Sequence, residues 1–88
     1  MSGKSTVAIL KTSPETVLDD YVRLGELAGL KASLDPSATT ILKDNISWHL
    51  LYPGANTTPW QLEGTILALK KAGFDDLVDV HNLSLIHI

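Results

Sequence analysis

The chain contains no cysteine, a single methionine, and among aromatics only two Trp, two Tyr and one Phe. The absence of cysteine excludes disulfides, thiolate metal ligands, iron–sulfur ligands and cysteine nucleophiles from these 88 residues, and leaves the redox compartment open. No stretch approaches the roughly 18 consecutive apolar residues of a membrane span. Positive charge is also scarce: seven Lys and Arg face ten Asp and Glu, for a net charge of -3. With no basic cluster, nucleic acid is not an expected partner. The opening residues, Met-Ser-Gly-Lys-Ser-Thr-Val-Ala-Ile-Leu, hold one basic residue and an apolar run too short for a secretory signal. A cytoplasmic protein with no membrane partner is the expectation. At 88 residues it is one small domain at most, and a chain of this size buries only about 60% of its unfolded surface.

What is present has a clear order. Thr6-Val-Ala-Ile-Leu10 is a β-branched apolar run, the pattern of a strand covered on both faces. The preceding Gly3-Lys4-Ser5-Thr6 echoes the end of a phosphate-binding loop. It lacks the first glycine of that motif, and its lysine precedes a strand instead of following one. Ser13-Pro14-Glu15 reads as a helix start, with a hydroxyl cap, a proline suited to the first turn and an acid at the positive dipole end. Val17, Leu18, Tyr21, Val22, Leu24, Leu27 and Ala28 then form one amphipathic stripe, and Gly29 with Leu30 closes it. Gly25 inside the stripe costs about 1 kcal/mol against Ala, and a close approach of this helix to the sheet would explain it.

Asp35-Pro36-Ser37 is a turn signal, and a second strand is expected over residues 39–43. Thr58-Pro59-Trp60-Gln61 matches a capping box opening a second helix, whose apolar face is Leu62, Ile66, Leu67 and Leu69. Lys70, Lys71, Gly73 and Phe74 end it, and Leu77-Val78-Asp79-Val80 supplies a third strand. The order β-α-β-α-β implies an α/β fold: a small parallel three-stranded sheet with two right-handed crossover helices. So narrow a sheet leaves exposed edges, and an incomplete domain is the expectation. The last six residues, Leu83-Ser-Leu-Ile-His-Ile88, match one reading frame of the transposase adapter used in sequencing libraries. Native sequence is therefore expected over residues 1–82, with 83–88 a foreign tail.

Ligands of α/β sheets bind at the carboxyl ends of strands, beside helix N-termini. Lys43, Asp44 and Asn45 stand at such an end, and Thr57 and Thr58 open the following helix. Between them runs a loop of about twelve residues carrying Trp48, His49 and Tyr52, longer than the 2–6 residues typical of such connections. Lys43, Asn45, His49, Thr57 and Thr58 are thus the candidate ligand-binding residues, suited to an anionic small molecule such as a phosphate or carboxylate. Three of them have a plainer explanation as well: capping for Thr58, packing for His49, a snorkelling stem for Lys43. Trp60 reads as a core anchor, Asp75 and Asp76 as a solvated acidic turn. Asp79 and His81 alternate along a strand, but two ligands without a third do not make a zinc site. No catalytic residue and no metal site is assigned.

The strings Ile41-Leu-Lys-Asp-Asn-Ile-Ser-Trp-His-Leu50, Tyr52-Pro-Gly-Ala-Asn-Thr-Thr-Pro-Trp-Gln-Leu-Glu63 and Val80-His-Asn82 resemble the N-terminal part of the family catalogued as domain of unknown function 362. In that resemblance Lys43 and Asn45 form its Lys-x-Asn pair, and Thr57, Thr58 and Pro59 its helix start; it spans residues 6–82. It implies an α/β protein of a few hundred residues, of which this chain is the opening portion and needs the remainder to complete its sheet. Some members carry iron–sulfur segments, and the family is distantly similar to nickel-pincer racemases. This segment has no ligand for either metal centre, so no cofactor is expected in it. Two functions follow: an enzyme or binding domain for an anionic small molecule, or an accessory module of a redox or multi-subunit assembly.

Overall fold

The computed structural model describes residues 5–45, 56–81 and 84–87, the last four by backbone alone. Residues 14–16 form a turn, and helix α1 runs Val17–Ala28. It begins later than Ser13-Pro14-Glu15 suggested, because the hydroxyls there serve the turn instead. Ser13 Oγ and Thr16 Oγ1 lie 3.0 Å apart. Thr12 and Thr16 each donate to Asp20 Oδ2 at 2.7 Å, and those two bonds hold the Asp20 carboxyl below its ordinary pKa. Gly29 ends α1 with φ +78°, a conformation that favours glycine. A single helical turn, α2, follows over Leu30–Ser33. At the expected Asp-Pro-Ser turn, Ser37 donates from its amide and its hydroxyl to Asp35 Oδ1 at 2.9 and 2.7 Å.

Strand β1 covers Thr40–Lys43, α3 Pro59–Lys71, β2 Leu77–His81 and β3 Ser84–His87. Proline occupies the first turn of α3 as expected, but Thr58 makes no side-chain cap bond, so the capping box is not formed. The C-terminal end follows expectation closely. Gly73 has φ +96°, its amide bonds the Lys70 carbonyl at 3.1 Å, and the Phe74 amide bonds Leu69 at 2.9 Å. This is the paired closure that tucks the residue after the glycine against the last turn. Phe74 and Leu69 accordingly join Leu77 in the core, with Leu30, Leu42, Ile66 and Ala72 packed around them.

The sheet has the order β1-β2-β3. β1 and β2 are parallel, Thr40 opposite Leu77 and Lys43 opposite Val80, joined by the α3 crossover. β2 and β3 are antiparallel, Val78 opposite His87 and His81 opposite Ser84. The architecture is therefore mixed α/β with one parallel pair, not three parallel strands. Residues 6–10 are outside the sheet, with Val7 81% and Ile9 90% exposed. Sequence pattern detects β propensity but not whether a neighbour's hydrogen-bonding edge is met. Residues 84–87, Ser-Leu-Ile-His, pair with the other edge of β2 instead. Thr39 Oγ1 donates to Asp76 Oδ2 at 2.6 Å, and the Thr40 amide to the Asp76 carbonyl at 2.9 Å. The acidic turn is thus a pin for the start of β1 and not merely solvated. No helix among the described residues is long and apolar enough to cross a membrane.

Helix α1 packs on α3 through glycine. A Cβ at Gly64 would lie 2.5 Å from the Tyr21 ring, and one at Gly25 would lie 3.2 Å from Leu30 and 3.6 Å from Ala68. The approach inferred from Gly25 is therefore between helices, not between helix and sheet. Overpacking costs roughly 1–3 kcal/mol. Gly64→Leu is expected to lower unfolding stability by about 2–3 kcal/mol, while Gly64→Ala loses less because better helix propensity offsets about 1 kcal/mol. Urea denaturation measures both. Adding Tyr21→Ala must relieve part of the Gly64→Leu loss, and fully additive losses would place the clash elsewhere.

Candidate functional site

The end of β1 meets the start of α3 through two reciprocal bonds. The Thr57 amide donates to the Asn45 carbonyl at 2.8 Å, and the Asn45 amide donates to Thr57 Oγ1 at 3.0 Å. The structure thus brings Asn45 and Thr57 together, as the candidate site required, and uses both backbones and the Thr57 hydroxyl to hold the corner. Thr58 is half-buried at the N-cap position of α3. With proline first in the helix, the first-turn amides of Trp60 and Gln61 precede the first intrahelical donor, Leu62, whose amide bonds the Thr58 carbonyl at 3.2 Å. Those early amides carry the positive end of the helix dipole.

Lys43 stands differently from expectation. Exposure alternates along β1, with Ile41 and Lys43 exposed and Leu42 half-buried. Strand alternation therefore turns the Lys43 stem to the sheet face opposite Leu42. Its Nζ folds back along the chain and donates to the Asp44 carbonyl at 2.6 Å. His49, with Trp48 and Tyr52, lies outside the described residues. Trp60 is 49% exposed and is not the core anchor its size suggested; it borders an apolar recess with Pro14 and Val17.

A pair of acids dominates the corner. Asp44 continues the ladder beyond β1, its amide donating to the Val80 carbonyl at 2.7 Å. Leu42 lies opposite Asp79 in register, so the helix-covered face carries Leu42, Asp44, Asp79 and His81 in two short rows. Asp44 is 5% and Asp79 6% exposed. Burial pushes the Asp44 carboxyl up to about 6, and the hydrogen bond and charge of Asp79 push the same way against the opposing pull of His81 and Lys43. A second carboxyl beside it disfavours the ionised form of Asp44. Asp79 Oδ1 has no hydrogen-bond partner among the described residues.

This pair was readable only in part. A charged residue inside Leu77-Val-Asp-Val80 is the signal for Asp79, since an ionised side chain in a buried strand needs a partner. That its neighbour would be a second acid depends on the β1–β2 register. No group of three or more acidic or His side chains that could hold a metal ion occurs among the described residues. No family model, no curated protein and no solved structure matches the chain.

Proposed function

We propose that this chain is the opening α/β segment of a domain of the type catalogued as domain of unknown function 362, its parallel sheet built outward from β1 and β2, and that it binds a small anion at the start of α3. The observation that carries this reading is the Asn45–Thr57 clasp. It fixes the strand end against a 13-residue helix whose first turn has no side-chain cap. Backbone amides there, with the Thr58 hydroxyl, supply donors and positive potential for a carboxylate or phosphate, and the Lys43 ammonium joins them by releasing the Asp44 carbonyl it now holds. Asp44 sets the condition. Ionised, it repels an anion; protonated, it does not.

Sulfate is the suitable probe because its charge is constant over the range where Asp44 titrates. The expected result is sulfate binding that tightens as pH falls through about 6, with amide shifts at Trp60 and Gln61. Lys43→Ala is expected to weaken it roughly tenfold, about 1.4 kcal/mol, without unfolding the chain. Unchanged affinity in a folded Lys43→Ala variant would falsify this reading. One observation favours the accessory-module alternative: Trp60 is half-exposed beside the apolar recess of Pro14 and Val17, as a partner contact would be. Sulfate shifts absent from the α3 start would leave that reading standing. Iron–sulfur chemistry, if the intact protein has it, belongs to residues outside this chain.

A further inference from the structure

Three recesses meet around one side chain. Trp60, the second residue of α3, is 49% exposed, and together with Val17 it borders all three. The largest, about 480 Å³, is walled by Pro14, Val17 and the indole, with Thr12 and Ser13. Tryptophan is enriched among the side chains that anchor protein contacts, where one large ring fills a partly apolar hollow.

The charge around this ring has one sign. Asp20 stands in one recess, and Glu15, Asp19 and Glu63 rim another. Among the described residues no Lys or Arg lines any of the three. These four acids exceed the net charge of the whole chain, -3, so the remainder is close to neutral. Asp19 and Asp20 lie in the first turn of α1, where the helix dipole favours an acid. That reason does not extend to Glu63, which lies beyond the first turn of α3. Asp20 is held by the hydroxyls of Thr12 and Thr16. The carboxylates of Glu15, Asp19 and Glu63 make no hydrogen bond or ion pair among the described residues.

The sign of that charge decides what can cover the face. A second copy would bring its own acids, so the same face of two chains repels. Nucleic acid and anionic lipid are repelled as well. A purely apolar segment would strip water from the carboxylates and leave them unpaired, which is costly. Residues 46–55 of this chain include neither Lys nor Arg, so they supply no such cation. We propose that the Trp60 face docks a basic segment of a partner protein. An aliphatic side chain of that segment fills the Pro14–Val17 hollow, and a Lys or Arg cation lies over the indole, facing Glu15, Asp19 and Glu63. The ring quadrupole attracts the cation, and the carboxylates add charge complementarity, which sets the choice of partner. This does not rest on the anion reading, which uses backbone amides at the α3 start and not the indole.

The test is NMR titration of the full 88-residue chain with a capped peptide of alternating Arg and Leu, and with its Glu-for-Arg counterpart. The Arg peptide is expected to shift the Trp60 indole N–H and the amides of Val17 and Glu63. Its affinity is expected to fall roughly tenfold between low salt and about 0.3 M, as exposed charges are screened. The Glu peptide is expected to leave the spectrum unchanged. Trp60→Ala, and separately Glu15→Gln with Glu63→Gln, are each expected to weaken binding roughly tenfold. All three side chains are exposed, so the helical circular dichroism spectrum stays that of the parent. Absence of binding overturns the proposal, and so does equal binding by the Glu peptide. Shifts confined to Asp75 and Asp76, exposed acids beyond the other end of α3, also overturn it, because the peptide then follows charge alone. Sulfate shifts at the Trp60 and Gln61 amides are read separately, so either reading can fail without the other.

Discussion

Replacing Phe74 by Ala is expected to abolish cooperative unfolding of this chain. Phe74 is 1% exposed, and it meets Leu69 at 2% and Leu77 at 0%. These three are the whole fully buried cluster among the described residues, with partly buried neighbours around them. Truncating a buried Phe costs about 3–5 kcal/mol through lost transfer energy and the cavity left behind. A domain of this length has a total of roughly 4–13 kcal/mol, and a small core places it low in that range. The loss is also structural, since Phe74 closes the C-terminus of α3 through its amide bond to Leu69. Helical signal that melts without a sharp transition, together with dye binding to exposed apolar surface, is the expected signature. Ile9→Ala is the control: at 90% exposure its effect stays within about 0.5 kcal/mol. A sharp transition in Phe74→Ala would mean that the cluster is not the centre of stability.

Stability is expected to fall as pH rises from about 4 to about 7. The cause is Asp44, whose folded pKa is raised to about 6 from 3.8, chiefly by burial. A carboxyl with a raised folded pKa is fully stabilising below its unfolded value, where both states are protonated. That contribution is lost as pH climbs through the folded value, because only the unfolded chain ionises freely. The shift corresponds to about 3 kcal/mol at neutral pH. Asp20 and Asp35 have lowered values, held by hydroxyls and an amide, so they act below about pH 4, in the opposite direction. Urea midpoints between pH 4.5 and 7.5 therefore lie clear of those two carboxyls, and the Asp44→Asn variant separates Asp44 from the three histidines of the chain. Asp44→Asn is expected to flatten the profile and to stabilise the chain at pH 7.5. If that variant keeps the slope of the parent, another group titrates in this window.

Local signals were legible where a few adjacent residues suffice. Gly29-Leu30 and Gly73-Phe74 mark their helix ends because a left-handed residue followed by an apolar one satisfies the last carbonyls whatever surrounds it. Asp35-Pro36-Ser37 closes its own turn for the same reason. The candidate corner was legible too, since strand ends and helix starts meet in any βαβ unit. Its clasp joins Asn45 to Thr57 as that topology requires. Thr58 shows the limit, because a capping box in the residues does not oblige the hydroxyl to bond its helix.

By itself the sequence determined the two main helices and their stops, the strands at Thr40–Lys43 and Leu77–His81, and the corner between strand and helix. These depend on contacts a few residues apart, or on a period that one element carries alone. Only the tertiary structure decided which segments join the sheet, leaving residues 6–10 outside and admitting Ser84–His87. It alone turned Lys43 away from Leu42 and placed Asp44 beside Asp79. Strand pairing and side-chain facing depend on register between segments distant in sequence, where a shift of one residue reverses every side chain.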